Sequence, residues 1–189
     1  TRWATHGAAN ELNAHPHLDH RNTLAIVHNG IIENHLEIKN LLREKGIECK
    51  SDTDSEVIAQ LCSLFYNGNL VETLQLSMEY LDGSFAIALV HQDHPNEIAA
   101  ACKGSPLVIG KNQNEVYVAS DANSFRGKSL EIIYLNDHEI ALAAPDMVLL
   151  FDDKCNPIIR EGVPMNFGDH IKMLHKNRVE IVDTIAVNG

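Results

Sequence analysis

The strongest constraint on the fold is a change of texture near residue 82. Before it, apolar residues recur at helical spacing. After it, short apolar runs follow one another, separated by turn residues. Phe85–Val90 is almost continuously apolar, the pattern of a strand buried on both faces. Further short strands are expected at Glu97–Cys102, Leu107–Ile109, Glu115–Ala119, Leu130–Leu135, Glu139–Ala143 and Met147–Phe151. Helices first and a strand meander afterwards point to an α+β layered fold. At 189 residues the chain holds one domain, or one large domain with a tail.

The earlier half reads as follows. Residues 1–22 are polar loop. Thr23–His28 is β-prone and is ended by Asn29-Gly30, a turn signal. A helix is expected next, with Ile31, Ile32, Ile38, Leu41 and Leu42 apolar and Gly46 as its stop. Thr53-Asp54-Ser55-Glu56 fits a capping box, with Thr53 at the cap and Glu56 three residues on. The helix it opens places Val57, Ile58, Leu61, Leu64 and Phe65 on one face and ends at Asn67-Gly68-Asn69. A third helix carries Val71, Leu74, Met78 and Leu81, and Asp82-Gly83 turns the chain. From about Cys155 the pattern weakens, although Val179–Val182 has the composition of one more strand.

The net charge of −11 disfavours non-specific partners such as nucleic acid or an anionic membrane. No apolar run is long enough to cross a bilayer as a helix. Cys49, Cys62, Cys102 and Cys155 are scattered without metal or disulfide spacing, which suits reduced thiols and a cytoplasmic setting.

Three stretches are dense in chemistry. His15-Pro16-His17-Leu18-Asp19-His20 matches the H-x-H-x-D-H spacing of metallo-β-lactamase-like zinc hydrolases, though no buried apolar strand leads into it. His28-Asn29-Gly30, read as a strand-to-helix turn, offers an amide and a backbone N–H to a developing oxyanion. Ser51-Asp52-Thr53-Asp54 offers carboxylates that either cap a helix or meet a substrate ammonium.

Taken in order, Thr1-Arg2-Trp3-Ala4-Thr5-His6-Gly7, Asn13–His17, Val27–Asn34, Ser51–Val57, Asp82–Ala86, Gly104–Gly110 and Ala119–Asp121 form a series that resembles the class II glutamine amidotransferase domain. Within that class the series is most similar to the glucosamine-6-phosphate synthases. The resemblance covers residues 1–151, a partial amidotransferase domain, and leaves 152–189 as a divergent segment. It implies the N-terminal-nucleophile fold, a four-layer αββα sandwich, here expected to be truncated at its N-terminus.

It also implies the chemistry. In that family an N-terminal Cys attacks the glutamine amide, its own α-amine serving as base. By position, Arg2 would bind the α-carboxylate of L-glutamine, Asp54 its α-ammonium, and Asn29 and Gly30 would form the oxyanion hole. Thr5, His6 and Gly7 would shape a loop over the glutamine, and Trp3 would gate an ammonia path. His15 and His17 would be structural, with no metal and no cofactor. Fructose 6-phosphate would bind through isomerase domains that this sequence lacks, in a homodimeric enzyme. The family's N-terminal Cys and the segment after it also lie before the stretch that begins here, so the chain as it stands is not expected to hydrolyse glutamine. Two other readings stay open: a zinc hydrolase built on His15, His17, Asp19 and His20, and a non-catalytic assembly fragment with exposed sheet edges.

Overall fold

The computed structural model describes residues 11–128 and 130–160. Two antiparallel sheets stack face to face. The larger contains seven strands in the order β1-β2-β3-β4-β8-β9-β10: β1 (His17–Leu18), β2 (Leu24–Ile32), β3 (Gly83–His91), β4 (Ile98–Lys103), β8 (Ile140–Ala144), β9 (Met147–Phe151) and β10 (Pro157–Ile158). The smaller contains β5 (Val108–Lys111) between β6 (Val116–Ala119) and β7 (Glu131–Tyr134). Helices α1 (His35–Glu44), α2 (Ser55–Phe65) and α3 (Leu70–Met78) cover the outer face of the large sheet. Thus the α+β two-sheet sandwich expected from the sequence is present. Among the described residues, the outer face of the small sheet carries a short 3-10 turn, Ala122–Phe125, rather than longer helices.

Strands β3 and β8 of the large sheet divide their side chains by size. Successive residues of a strand point to opposite faces. Phe85, Ile87 and Leu89 of β3 therefore pack under the helices, while Ala86 and Ala88 face the small sheet. Each of those large, fully buried side chains stabilises the fold by about 2 kcal/mol. β8 alternates in the same way, Ile140 and Leu142 against the helices, Ala141 and Ala143 against the small sheet. Burial on both faces explains why these strands read as continuous apolar runs.

The helices end where the sequence marks them. Lys45 caps α1, Gly46 follows at φ +79°, and the Ile47 and Gly46 N–H groups donate to the Leu42 and Arg43 carbonyls. This is a Schellman closure, with Ile47 and Leu42 both buried. The Asn69 side chain caps α3 by accepting from the Val71 and Glu72 N–H groups.

Two local expectations are corrected. Asn29-Gly30 is not a turn: β2 runs through it, and α1 begins only at His35. Consequently Ile31 and Ile32 belong to the strand and not to the helix. The cause is non-local, because β2 pairs with β3 from Leu24↔His91 to Ile32↔Gly83. Gly30 (φ +130°) and Gly83 (φ +113°) serve this close pairing; a Cβ on Gly83 would lie 2.2 Å from the Ile31 carbonyl oxygen.

The capping box is half formed. Thr53 Oγ1 accepts from the Glu56 N–H at 3.2 Å, but the buried Glu56 carboxylate turns instead to the Lys50 and Ser51 N–H groups. The ordered loop expected over residues 1–22 carries short regular elements in its described part, 11–22, with a 3-10 turn at Glu11–Asn13 and the short strand β1.

Candidate functional site

Asn29 stands on the face of β2 that looks toward the small sheet. There it lines a pocket with Val27, His28, Ala86, Ala88, Leu107, Val118, Ala119 and Ser120. The pocket has room because β3 presents the small side chains of Ala86 and Ala88 at this point. The Asn29 amide makes no side-chain hydrogen bond among the described residues, so both its donors remain for a ligand. Gly30 follows at φ +130°, pressed against β3. Because α1 begins at His35, its N-terminus does not follow directly on Asn29-Gly30, contrary to expectation. Any oxyanion placed here depends on the Asn29 amide and on local backbone N–H groups.

Asp54 lies on the helix side of the same strand. It is 3% exposed, and its Oδ2 accepts the Ile32 N–H at 2.9 Å. Among the described residues Oδ1 takes no hydrogen bond. The side chain does not cap α2. Its neighbour Ser55 reaches His28, with Oγ 2.9 Å from Nδ1. His28 is buried, and burial pushes its pKa down to about 4; the Asp54 charge opposes that shift, while His15 and His17 add to it. The ring is therefore neutral at ordinary pH.

The His15–His20 stretch has a different use from the one its spacing suggests. Its residues dock on one polar stripe of α2 and the turn before it. His15 Nε2 lies 3.5 Å from Ser55 Oγ, and His17 Nε2 lies 3.2 Å from Thr53 Oγ1. The His20 N–H donates to Gln60 Oε1, and Ser63 Oγ donates to Asp19. Asp19 also accepts the Arg21, Thr23 and Leu24 N–H groups. Burial alone would raise its carboxyl pKa, but these donors hold it below the usual value. A carboxylate so occupied has little left for a metal, and among the described residues no three His, Cys, Asp or Glu side chains group as metal ligands. The zinc reading therefore draws no geometric support from the described residues.

The cysteines are unlike nucleophiles. Burial raises Cys49 and Cys102 to about 11 and Cys62 to about 12, and moves Cys155 upward too. None of them lines the Asn29 pocket.

Of the expected site residues, Asn29, Gly30 and Asp54 are described. Arg2, Trp3, Thr5, His6 and Gly7 lie outside the described residues. Four of the seven sequence blocks meet at the pocket, through Val27 and Asn29, Ala86, Leu107, and Ala119 and Ser120. The pairing of His28 with Ser55 was not foreseen. Its only signal in the sequence is a histidine interrupting the apolar row Leu24, Ile26, Ile32.

Comparison with known proteins bears on the family and the fold. Residues 3–127 match the family described as glutamine amidotransferase domain. The chain is 42% identical over 161 residues to glutamine–fructose-6-phosphate aminotransferase (isomerizing) of Clostridium perfringens, covering 85% of this chain and 26% of that protein. The relative of the same name from Clostridium tetani is 38% identical across 98% of this chain and 32% of its own length. The chain thus spans about a quarter to a third of the curated relatives it matches. Among solved structures, glutamine phosphoribosylpyrophosphate amidotransferase from B. subtilis superposes with a TM-score of 0.66 at 23% identity, over 79% of this chain and 34% of that one, a likeness of fold.

Proposed function

The chain belongs to the glutamine amidotransferase domain family, and from that premise we propose that it carries the glutamine-handling part of a glutamine–fructose-6-phosphate aminotransferase. In this reading ammonia is released from the L-glutamine side-chain amide and passed to fructose 6-phosphate, bound elsewhere in a larger homodimeric enzyme. The observation that carries the proposal is the uncommitted Asn29 amide on a pocket where four of the family-like blocks converge.

The roles follow from charge and geometry. A thiolate adding to the amide carbon drives negative charge onto the carbonyl oxygen. Donors already aimed at that oxygen lower the barrier, and losing one such donor typically costs about 100-fold or more in rate. Asn29 and Gly30 take this role. Asp54, with Oδ1 unspent, holds the substrate ammonium, and Arg2 pairs with the α-carboxylate through its two-pronged guanidinium. By the family resemblance, Thr5, His6 and Gly7 would shape the loop over the bound glutamine and Trp3 would gate the ammonia path. The described cysteines do not supply the nucleophile, since their thiols are held protonated away from the pocket. No helix of the described residues is long and apolar enough to cross a membrane. The acidic charge and scattered free thiols support a cytoplasmic setting without a cofactor.

The test is an NMR titration of the chain with L-glutamine, D-glutamine and L-glutamate. Saturable shifts of the Asn29 side-chain amide and the Gly30 N–H, strongest for L-glutamine, are expected. Shifts confined to other residues, or equal for both enantiomers, would sink the reading.

A further inference from the structure

Two bonds fasten one short piece of β2 to the start of α2. Ser55 Oγ meets His28 Nδ1 at 2.9 Å, and Asp54 Oδ2 takes the Ile32 N–H at 2.9 Å. Consecutive residues of the helix start thus grip the strand four residues apart. Between the two grips lie Asn29 and Gly30, the latter at φ +130°, a conformation that resists relaxation only when its surroundings enforce it.

We propose that His28 is a positioning residue for the glutamine site. Together with Asp54 it clamps the His28–Ile32 stretch to α2 and so sets the angle at which Asn29 meets the pocket, with Gly30 held beside it.

The chemistry of His28 favours this over a role in stability alone. It occupies a row that is otherwise Leu24, Ile26 and Ile32, all packed in the core under the helices. A leucine would suit that row. The imidazole instead buries a second ring nitrogen, Nε2, beside the Ser84 backbone without a hydrogen bond of good geometry, which a core row of aliphatic side chains would avoid. The ring is neutral, so its tie to Ser55 is a plain hydrogen bond and not an ion pair. Ser55 Oγ also lies 3.5 Å from His15 Nε2, which brings the docked His15–His20 stretch to the same point.

The test compares the full chain with His28→Leu, His28→Asn and Ser55→Ala. Asparagine keeps a hydrogen-bonding atom near the Nδ1 position, and leucine does not. Three quantities are read: urea unfolding, amide hydrogen exchange at Gly30 and Ile32, and L-glutamine affinity by calorimetry. For His28→Leu the expected result is an unfolding midpoint equal to or above wild type. Exchange at Ile32 should rise about tenfold and glutamine affinity should fall about tenfold, the scale of one lost hydrogen bond. Ser55→Ala should behave alike, and His28→Asn should recover most of both losses. Unchanged exchange in His28→Leu overturns the clamp. So does a drop in unfolding midpoint that accounts for the faster exchange. The affinity arm rests on the glutamine reading: wild-type chain that binds no glutamine overturns that reading, whereas the exchange measurement tests the clamp without ligand.

Discussion

Gly30 and Ser84 approach each other so closely that a β-carbon on the glycine would lie 2.1 Å from the Ser84 carbonyl oxygen. The site strand and its neighbour β3 meet here with no side chain between them. Gly30→Ala should therefore lose more than about 3 kcal/mol of stability, or fail to fold. Gly68→Ala is the control, since Gly68 also has positive φ (+98°) but nothing within 4 Å of its Cβ position. It should lose only about 1–2 kcal/mol. Equal losses in urea unfolding would show that backbone conformation, and not the contact with Ser84, fixes this glycine.

His28 gives the fold an acid sensitivity of defined sign. The buried ring is faced by Asp54, His15, His17 and the Ser55 hydroxyl, and its pKa falls from 6.5 to about 4. The unfolded chain therefore binds this proton first. The neutral ring contributes no pH dependence above about 6.5, and stability falls by about 3 kcal/mol as pH drops from there to about 4. Urea unfolding of wild type and His28→Leu at pH 7.5, 5.5 and 4.5 isolates the effect from the carboxylates. The difference between the two proteins should change steadily in favour of the leucine variant as pH falls. A constant difference would show that His28 does not titrate in this range.

Asp54 separates charge from scaffold. Asp54→Asn keeps an oxygen to accept the Ile32 N–H at the same place. It should leave unfolding within about 1 kcal/mol of wild type while weakening L-glutamine binding at least about tenfold, because the ammonium loses its counter-charge. Asp54→Ala should lose both, with a stability cost of about 1–3 kcal/mol from the stranded Ile32 N–H. Glutamine affinity unaltered in Asp54→Asn would remove the carboxylate from the ammonium site.

Asp19 should behave as a structural carboxylate. It gathers three backbone N–H groups and the Ser63 hydroxyl, so Asp19→Ala strands several buried donors at once. A loss of about 2–4 kcal/mol is expected. Zinc added to the wild-type chain should leave its melting temperature unchanged and should not be retained at one equivalent after dialysis. Stoichiometric zinc, lost in Asp19→Ala, would restore the hydrolase reading.

Elements fixed by their own pattern were legible from the sequence. α2 and the strands from β3 to β9 have the periodicity that burial on one or both faces imposes, and Gly46 and Asn69 mark helix ends through local chemistry. What escaped was set by distant partners. Asn29-Gly30 has the composition of a turn, but nine residues of pairing with β3 outweigh that preference. The His15–His20 letters fit a zinc site because spacing alone cannot show that their partners are Thr53, Ser55, Gln60 and Ser63, some forty residues on. Asn29 and Asp54 could be proposed as site residues from the family-like blocks, whereas the bond between His28 and Ser55 joins two residues whose relation no local rule encodes.

The alanines of the central strands have a consequence for how such a site can change. Ala86 and Ala88 form the floor beneath Asn29, and a methyl group is the smallest side chain that still seals a sheet. The room available to a ligand is thus fixed by omission, and every substitution of that floor short of glycine subtracts from it. A single added branch, as in Ala88→Val, would narrow the opening from below without touching one polar atom. Selectivity for a slender, unbranched amide side chain can be written into the flooring as well as into the groups that grip it.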